Sequence, residues 1–307
     1  MKIQSFSYKV KDEIISKINS KPKADACLMG ILTFCNSLNI NEILFLTEHD
    51  KVAEFFRNNV VRICADSSAV STATTIKRND VTLYSLSVEG RHNRIVLLDY
   101  FRMDSIRRLT PTELPKDKFF PQLLSGIFLA CGSVNNPEKK YHLEFVMPTL
   151  DLCNDVGMLL IDNFNIIPKH TERKNNNVVY IKESENIIDM LTIIGAVNSS
   201  LELMNVKIYK DMRNKINRAV NCDNANIEKS LRAAERQIAD IELIDDTVGI
   251  GSLPDNLQEI ARVRYDNPDY NLNELGKALN PPISRSGANH RLAKIAEIAE
   301  NIRSKNA

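Results

Sequence analysis

The sequence predicts an α/β (α+β) domain built from two repeats, followed by an all-α domain. Three observations carry this. The same order of helices and strands occurs twice before residue 200, the leading helix of each half carries a similar apolar string, and residues 251–307 hold three short helices with their own capping signals. At roughly 150 residues per domain, a chain of 307 residues makes about two domains. Hydrophobic residues at 43% and charged residues at 26% are ordinary for a globular chain and exclude a largely disordered or fibrous one.

Residues 24–36 place Leu28, Ile31, Leu32 and Cys35 on one helical face. A strand-like run follows at 40–46, then a helix at 50–58 that opens on the acidic Asp50. Strand-like runs at 69–77 and 81–89 flank the turn Arg78-Asn79-Asp80, and an apolar helix at 93–103 closes the half. The second half repeats the order. It has a helix at 120–132, an alternating strand at 141–147, and a helix at 149–164 with Leu152, Val156, Leu159 and Leu160 in register. Strands at 165–172 and 178–183 surround the polar turn RKNNN, and Ser184 opens a last helix to 194. Two copies of helix–strand–helix–strand–strand–helix predict a pseudo-twofold domain, with Pro111–Pro115 as the linker.

The leading helices read Leu28-Met29-Gly30-Ile31-Leu32-Thr33-Phe34-Cys35-Asn36 and Leu124-Ser125-Gly126-Ile127-Phe128-Leu129-Ala130-Cys131-Gly132. Gly126 and Ala130 share a face on which two helix backbones can approach closely. Both strings are similar to degenerate LAGLIDADG motifs, the paired helices of homing endonucleases. An active enzyme of that kind has an acid at the eighth position of each motif, where it binds the metal that activates water for phosphodiester cleavage. Here those positions are Cys35 and Cys131, and Asp25 is too far back to substitute. Magnesium needs oxygen ligands, so the domain reads as a non-catalytic relative of the endonuclease fold, with no catalytic residue and no metal. Two ordinary core helices are the plainer alternative, weakened by the repeated element order.

Residues 200–221 contain neither proline nor glycine. Leu201, Met204, Ile208, Met212, Ile216 and Ala219 fall in one arc of the wheel, while Lys207, Lys210, Arg213 and Arg218 lie mostly opposite with Asn214, Asn217 and Asn221. Cations interleaved with amides suit a stripe that contacts phosphates; an ordinary solvated face is the equal alternative. Residues 223–246 turn acidic and carry Ile227, Leu231, Ala234 and Ile238, a connecting helix that ends at Gly249-Ile250-Gly251. The expected parts are therefore 1–110 and 111–200 for the two repeats, 201–250 for the basic and connecting helices, and 251–307 for the all-α domain.

In that last part, one helix opens at Ser252 and buries Leu257, Ile260 and Ala261. A second opens at Asn271 with Glu274 three residues on, a capping-box spacing, buries Leu272, Leu275 and Leu279, and stops at Pro281-Pro282. A third opens at Ser284 and buries Ala288, Leu292, Ile295 and Ala299. This is a helix-turn-helix pattern whose third helix reads DNA. It leaves Ser286, Gly287, Asn289, His290 and Lys294 outward, with Arg285 at its start and Arg291 on the flank. Asn suits adenine, and Arg or Lys suits guanine or phosphate. A small helical bundle that docks on protein is the competing reading.

Nearly the whole chain resembles the WhiA family of bacterial DNA-binding regulators. The strings that carry the resemblance are SGIFLACGSVNNPEKKYHLEF, KDMRNKINRAVNCDNANIEKS, RQIADIEL and PPISRSGANHRL. The resemblance implies a degenerate LAGLIDADG domain, a connecting segment, and a C-terminal helix-turn-helix like region 4 of sigma factors, about residues 271–303. It also implies regulation in cell division and chromosome segregation, and in sporulation where the species sporulates. No cofactor is implied.

Other classes are excluded or demoted. Forty basic residues against 39 acidic ones give a net charge of +1, so any nucleic-acid signal must be local. The six cysteines form no CxxC pair, which argues for reduced thiols rather than zinc or disulfides. HExxH, GxSxG, GxGxxG and Walker patterns are missing. No run of 18 apolar residues and no signal-like start occur, so a cytoplasmic, nucleoid-associated protein is expected, with no membrane partner. The expected partner is double-stranded DNA, with transcription machinery or another regulator alongside it. A docking module and a residual nuclease that recruits acids from elsewhere remain as alternatives.

Overall fold

The structure is a computed structural model that describes residues 4–77, 80–103, 107–109, 119–174 and 176–306. The expected linker Pro111–Pro115, and Arg78 and Asn79 of the first turn, lie outside the described residues. The chain divides into two compact units, Met1–Lys210 and Asp211–Ala307.

In the first unit the two halves repeat one plan. The first runs α1 (Phe6–Lys17), α2 (Lys21–Phe34), β1 (Ser37–Leu38), β2 (Ile43–Thr47), α3 (Asp50–Cys64), β3 (Val70–Ile76), β4 (Thr82–Val88) and α4 (Arg91–Phe101). The second runs α5 (Phe120–Cys131), β5 (Gly132–Val134), β6 (Leu143–Met147), α6 (Leu150–Phe164), β7 (Lys169–Arg173), β8 (Asn176–Ile181) and α7 (Ser184–Ile193). Each half holds a four-stranded antiparallel sheet, in the order β1-β2-β4-β3 and β5-β6-β8-β7. In the central strands alternate residues point inward, as period-2 geometry requires: Ile43 and Phe45 in β2, Leu143 and Phe145 in β6. Registers such as Phe45↔Leu86 and Phe145↔Val179 line these side chains up beneath the helices.

Several elements differ from the sequence expectation. Helix α1 has no expected counterpart; it is held by a short stripe, Phe6, Val10 and Ile14, among charged residues, and Ser5 caps it by accepting from the Tyr8 amide. Strands β1 and β5, of two and three residues, are too short to show a period. Helix α3 runs past residue 58 to Cys64 because Val60 continues the buried row of Val52, Ala53 and Phe56; Ala65, at φ 53°, ends it.

Residues 197–248 form a single helix, α8 (Val197–Val248), rather than a basic helix followed by a connecting one. No helix breaker lies inside it, and glycines in the left-handed region, Gly195 at φ 87° and Gly249 at φ 79°, flank it. Its start is held by the Glu13 carboxylate, which accepts from the Asn198 and Ser199 amides at 2.6 and 3.0 Å, an anion on a helix N-terminus.

The second unit adds α9 (Asp255–Asp266), α10 (Leu272–Ala278) and α11 (Arg285–Asn306). Ile241 and Ile244 of α8 join Leu257, Ile260, Leu275, Leu279, Ala288, Leu292, Ile295 and Ala299 in its core, so this core reaches back before residue 251. Helix α9 starts at Asp255, not Ser252. Ser252 lies in a short 3-10 turn, and its hydroxyl donates to the Gly249 carbonyl at 2.7 Å.

Candidate nucleic-acid interface

Helices α2 and α5 pack at backbone contact. A Cβ at Gly30 would lie 2.3 Å from the Leu123 carbonyl, and one at Gly126 would lie 2.0 Å from the Cys27 carbonyl. Only glycine fits at either position, and the close pair sits where the two LAGLIDADG-like strings meet. At the eighth positions the chemistry is neutral or basic. The buried Cys35 thiol donates to the Ser37 carbonyl at 3.0 Å, and burial pushes it up to about 12. Arg107 donates to the Cys35 carbonyl at 2.7 Å. Cys131 donates to the Ile127 carbonyl at 3.3 Å, and enclosure raises its thiol as well. Beside it Lys11 donates to the Leu129 carbonyl at 3.1 Å and is pushed down to about 8 by burial. These thiols stay protonated near neutral pH. Among the described residues no group of three or more His, Cys, Asp or Glu side chains is placed to hold a metal ion. The cations at the motif ends are not legible in the sequence, because Lys11 and Arg107 arrive from α1 and from the segment after α4.

The helix-turn-helix is built from caps and close contacts. Asn271 and Glu274 form a full capping box at the start of α10. Gly276 brings α10 against the turn before α11; a Cβ there would lie 2.4 Å from the Ile283 carbonyl. Ser284 caps α11 by accepting from the Gly287 amide at 3.2 Å. With Ala288, Leu292, Ile295 and Ala299 buried, Arg285, Ser286, Asn289, His290 and Lys294 are exposed. Two of the expected site residues are placed differently. Gly287 is half-buried, and a Cβ there would meet Ile283 Cδ1 at 3.4 Å rather than open space. Arg291 turns back to α9, donating to the Asn256 carbonyl at 3.2 Å with Glu259 at 3.8 Å.

The expected basic stripe is divided. Lys207 pairs with Glu185, and Lys210 donates to the Pro137 carbonyl at 2.6 Å with its ammonium 4.7 Å from the Tyr141 ring centre. Both hold α8 to the first unit. Arg213, Asn214, Asn217 and Arg218 are exposed. The apolar arc is not a buried face: Ile208, Met212 and Ile216 are 58%, 59% and 60% exposed. Periodicity gathered these residues on one side of the helix, and that side is exposed.

A two-repeat α/β domain whose LAGLIDADG-like motifs end in thiols, followed by a helical helix-turn-helix domain, defines a class of protein that joins a LAGLIDADG-like scaffold to a helix-turn-helix module. Comparison narrows the class. Residues 120–213 match the model of the WhiA LAGLIDADG-like domain, and residues 216–299 match that of the WhiA C-terminal HTH domain. The "Probable cell division protein WhiA" of Clostridium perfringens (strain SM101 / Type A) is 38% identical, with 98% of this chain and 99% of that protein covered. The protein of the same name in Clostridium acetobutylicum is 37% identical, over 97% and 98%. The crystal structure of full-length DUF199/WhiA from Thermatoga maritima shares the fold, with a TM-score of 0.58 at 24% identity over 97% of this chain and 99% of that one. The chain belongs to the WhiA family.

Proposed function

We propose that this chain is a sequence-specific, non-catalytic DNA-binding regulator of transcription that acts in cell division and chromosome segregation, and in sporulation where its host sporulates. The observation that carries the reading is the third helix of the helix-turn-helix. It buries Ala288, Leu292 and Ile295 and leaves Arg285, Ser286, Asn289, His290 and Lys294 exposed, a set of side chains suited to the major groove. The related proteins named for cell division support the cellular role. Place of action follows from the ligand: a cytoplasmic protein on the nucleoid, with transcription machinery or another regulator as a protein partner. Among the described residues no helix is long and apolar enough to cross a membrane.

Genome-wide mapping of bound DNA, followed by gel shifts on the enriched fragments, tests the reading. Enrichment at discrete promoters near division and segregation genes is expected; uniform occupancy would overturn sequence specificity. Absence of catalysis has its own test. Cys35→Asp combined with Cys131→Asp should place carboxylates in an apolar setting and lower stability without giving cleavage. Plasmid nicking with magnesium, in the native or the substituted protein, would overturn the non-catalytic assignment.

A further inference from the structure

The second unit carries a groove of about 770 Å³ between α8 and the start of α11. Asn226 and Lys229 line it from α8, Arg264 from α9, and Arg285 and Asn289 from α11; no carboxylate is among its lining residues. Arg264 is only 2% exposed, and no carboxylate pairs with it among the described residues. One end of its guanidinium is committed to the turn before α10, where Nη1 donates to the Tyr270 carbonyl at 2.7 Å and more weakly to Pro268 at 3.3 Å. Its Nε is buried and has no acceptor among the described residues. A buried cation without a counter-ion is costly. Here it lies beneath a groove rimmed by Lys229, Arg285 and amide side chains, a lining whose charge is positive and favours an anion.

We propose that this groove holds the phosphodiester backbone of bound DNA, on the strand that flanks the major groove entered by α11. Lys229 and Asn226 grip the backbone from α8, opposite Arg285. This rests on the DNA-binding reading above and adds to it a second wall of the interface, supplied by the long helix. Geometry favours a DNA strand over a small ligand. Arg285 and Asn289 lie both on the groove and on the exposed face proposed to read bases, and in a duplex the backbone runs directly beside the base edges. The phosphate grip thus shifts along α8, from Lys207 and Lys210, which are engaged elsewhere, to Lys229.

The test compares the full-length protein with its Lys229→Ala, Asn226→Ala and Asn289→Ala variants by fluorescence polarisation. One probe is a duplex enriched from a random-sequence pool, the other an unrelated duplex. Lys229 and Asn226 are exposed, so their replacement should leave the melting temperature unchanged. Lys229→Ala should weaken both duplexes several-fold by the same factor and reduce the salt slope by about one unit. Asn289→Ala should weaken the enriched duplex alone. A neutral methylphosphonate placed at the contacted linkage should weaken the native protein and cost Lys229→Ala nothing further. If Lys229→Ala and Asn226→Ala bind both duplexes like the native protein while Asn289→Ala loses the enriched one, the groove assignment falls and the DNA-binding reading stands. If the native protein binds neither duplex, both fall. Binding of ATP that depends on Lys229, with DNA affinity unaffected by its replacement, would assign the groove to a free phosphate ester and overturn the proposal.

Discussion

Asn289 and Leu292 lie within one turn of each other on α11 and face opposite ways, one exposed and the other 2% exposed. Their replacements should separate cleanly. Asn289→Ala should lower affinity for a specific site by about 1–3 kcal/mol, the value of one bidentate amide–adenine contact, with less change on unrelated DNA and none in melting temperature. Leu292→Ala should cost about 2–5 kcal/mol of stability through the cavity it leaves. Equal losses of stability in the two variants would mean that Asn289 is part of the core. The buried thiols make a second prediction. Cys35 is raised from an ordinary 9.0 to about 12 in the folded chain. Its contribution is therefore fully present below pH 9 and is lost as pH rises toward 12, because the unfolded thiol ionises first. Each such thiol adds a slope of up to about 1.4 kcal/mol per pH unit in that window. Urea midpoints measured across pH 9–11 should fall less steeply for Cys35→Ala; an unchanged slope would show that the thiol ionises in the folded state.

At the scale of elements, the α2–α5 pair holds the two repeats together. Gly30 and Gly126 each face the other helix's backbone at a distance where a methyl group cannot fit. Backbone cannot swing aside as a side chain can, so Gly30→Ala or Gly126→Ala should separate the helices and cost about 3 kcal/mol, the upper end of the overpacking range. Gly157, with open space around it, is the control, and its alanine variant should be neutral or slightly stabilising. Chemical denaturation of the three variants decides the matter; a full-strength Gly126→Ala protein would contradict the close approach. This device was half legible. The repeated strings and the spacing of Gly126 and Ala130 pointed to a small-residue face, but the partner of Gly126 proved to be Cys27, and Gly30 does the same work from the other side.

Across the whole molecule, α8 contributes to both units, and its cations divide by what surrounds them. Lys210→Ala should lower the melting temperature of the first unit, through loss of the Pro137 and Tyr141 contacts, and leave the salt dependence of DNA binding unchanged. Arg213→Ala with Arg218→Ala should leave the melting temperature unchanged, since both are exposed. If the exposed stripe touches phosphates, that pair flattens the salt slope by up to about two units, and a slope identical to the native one removes the stripe from the interface. Much of this protein was determined by sequence alone. Breakers and caps set the helices around Asn271, Ser284 and Gly249; the period of Ala288, Leu292, Ile295 and Ala299 set the face of α11; and the thiols at positions 35 and 131 set the character of the degenerate motifs. Tertiary structure alone decided what meets each face. Periodicity gathers Ile208, Met212 and Ile216 on one side of a helix but cannot say whether anything covers them, and here they are exposed. Charge along the chain marks Lys207, Lys210 and Lys229 alike. Only packing ties the first two to Glu185 and Pro137 and leaves the third on a groove above Arg264, because those partners lie far away in sequence and meet only when the chain is folded.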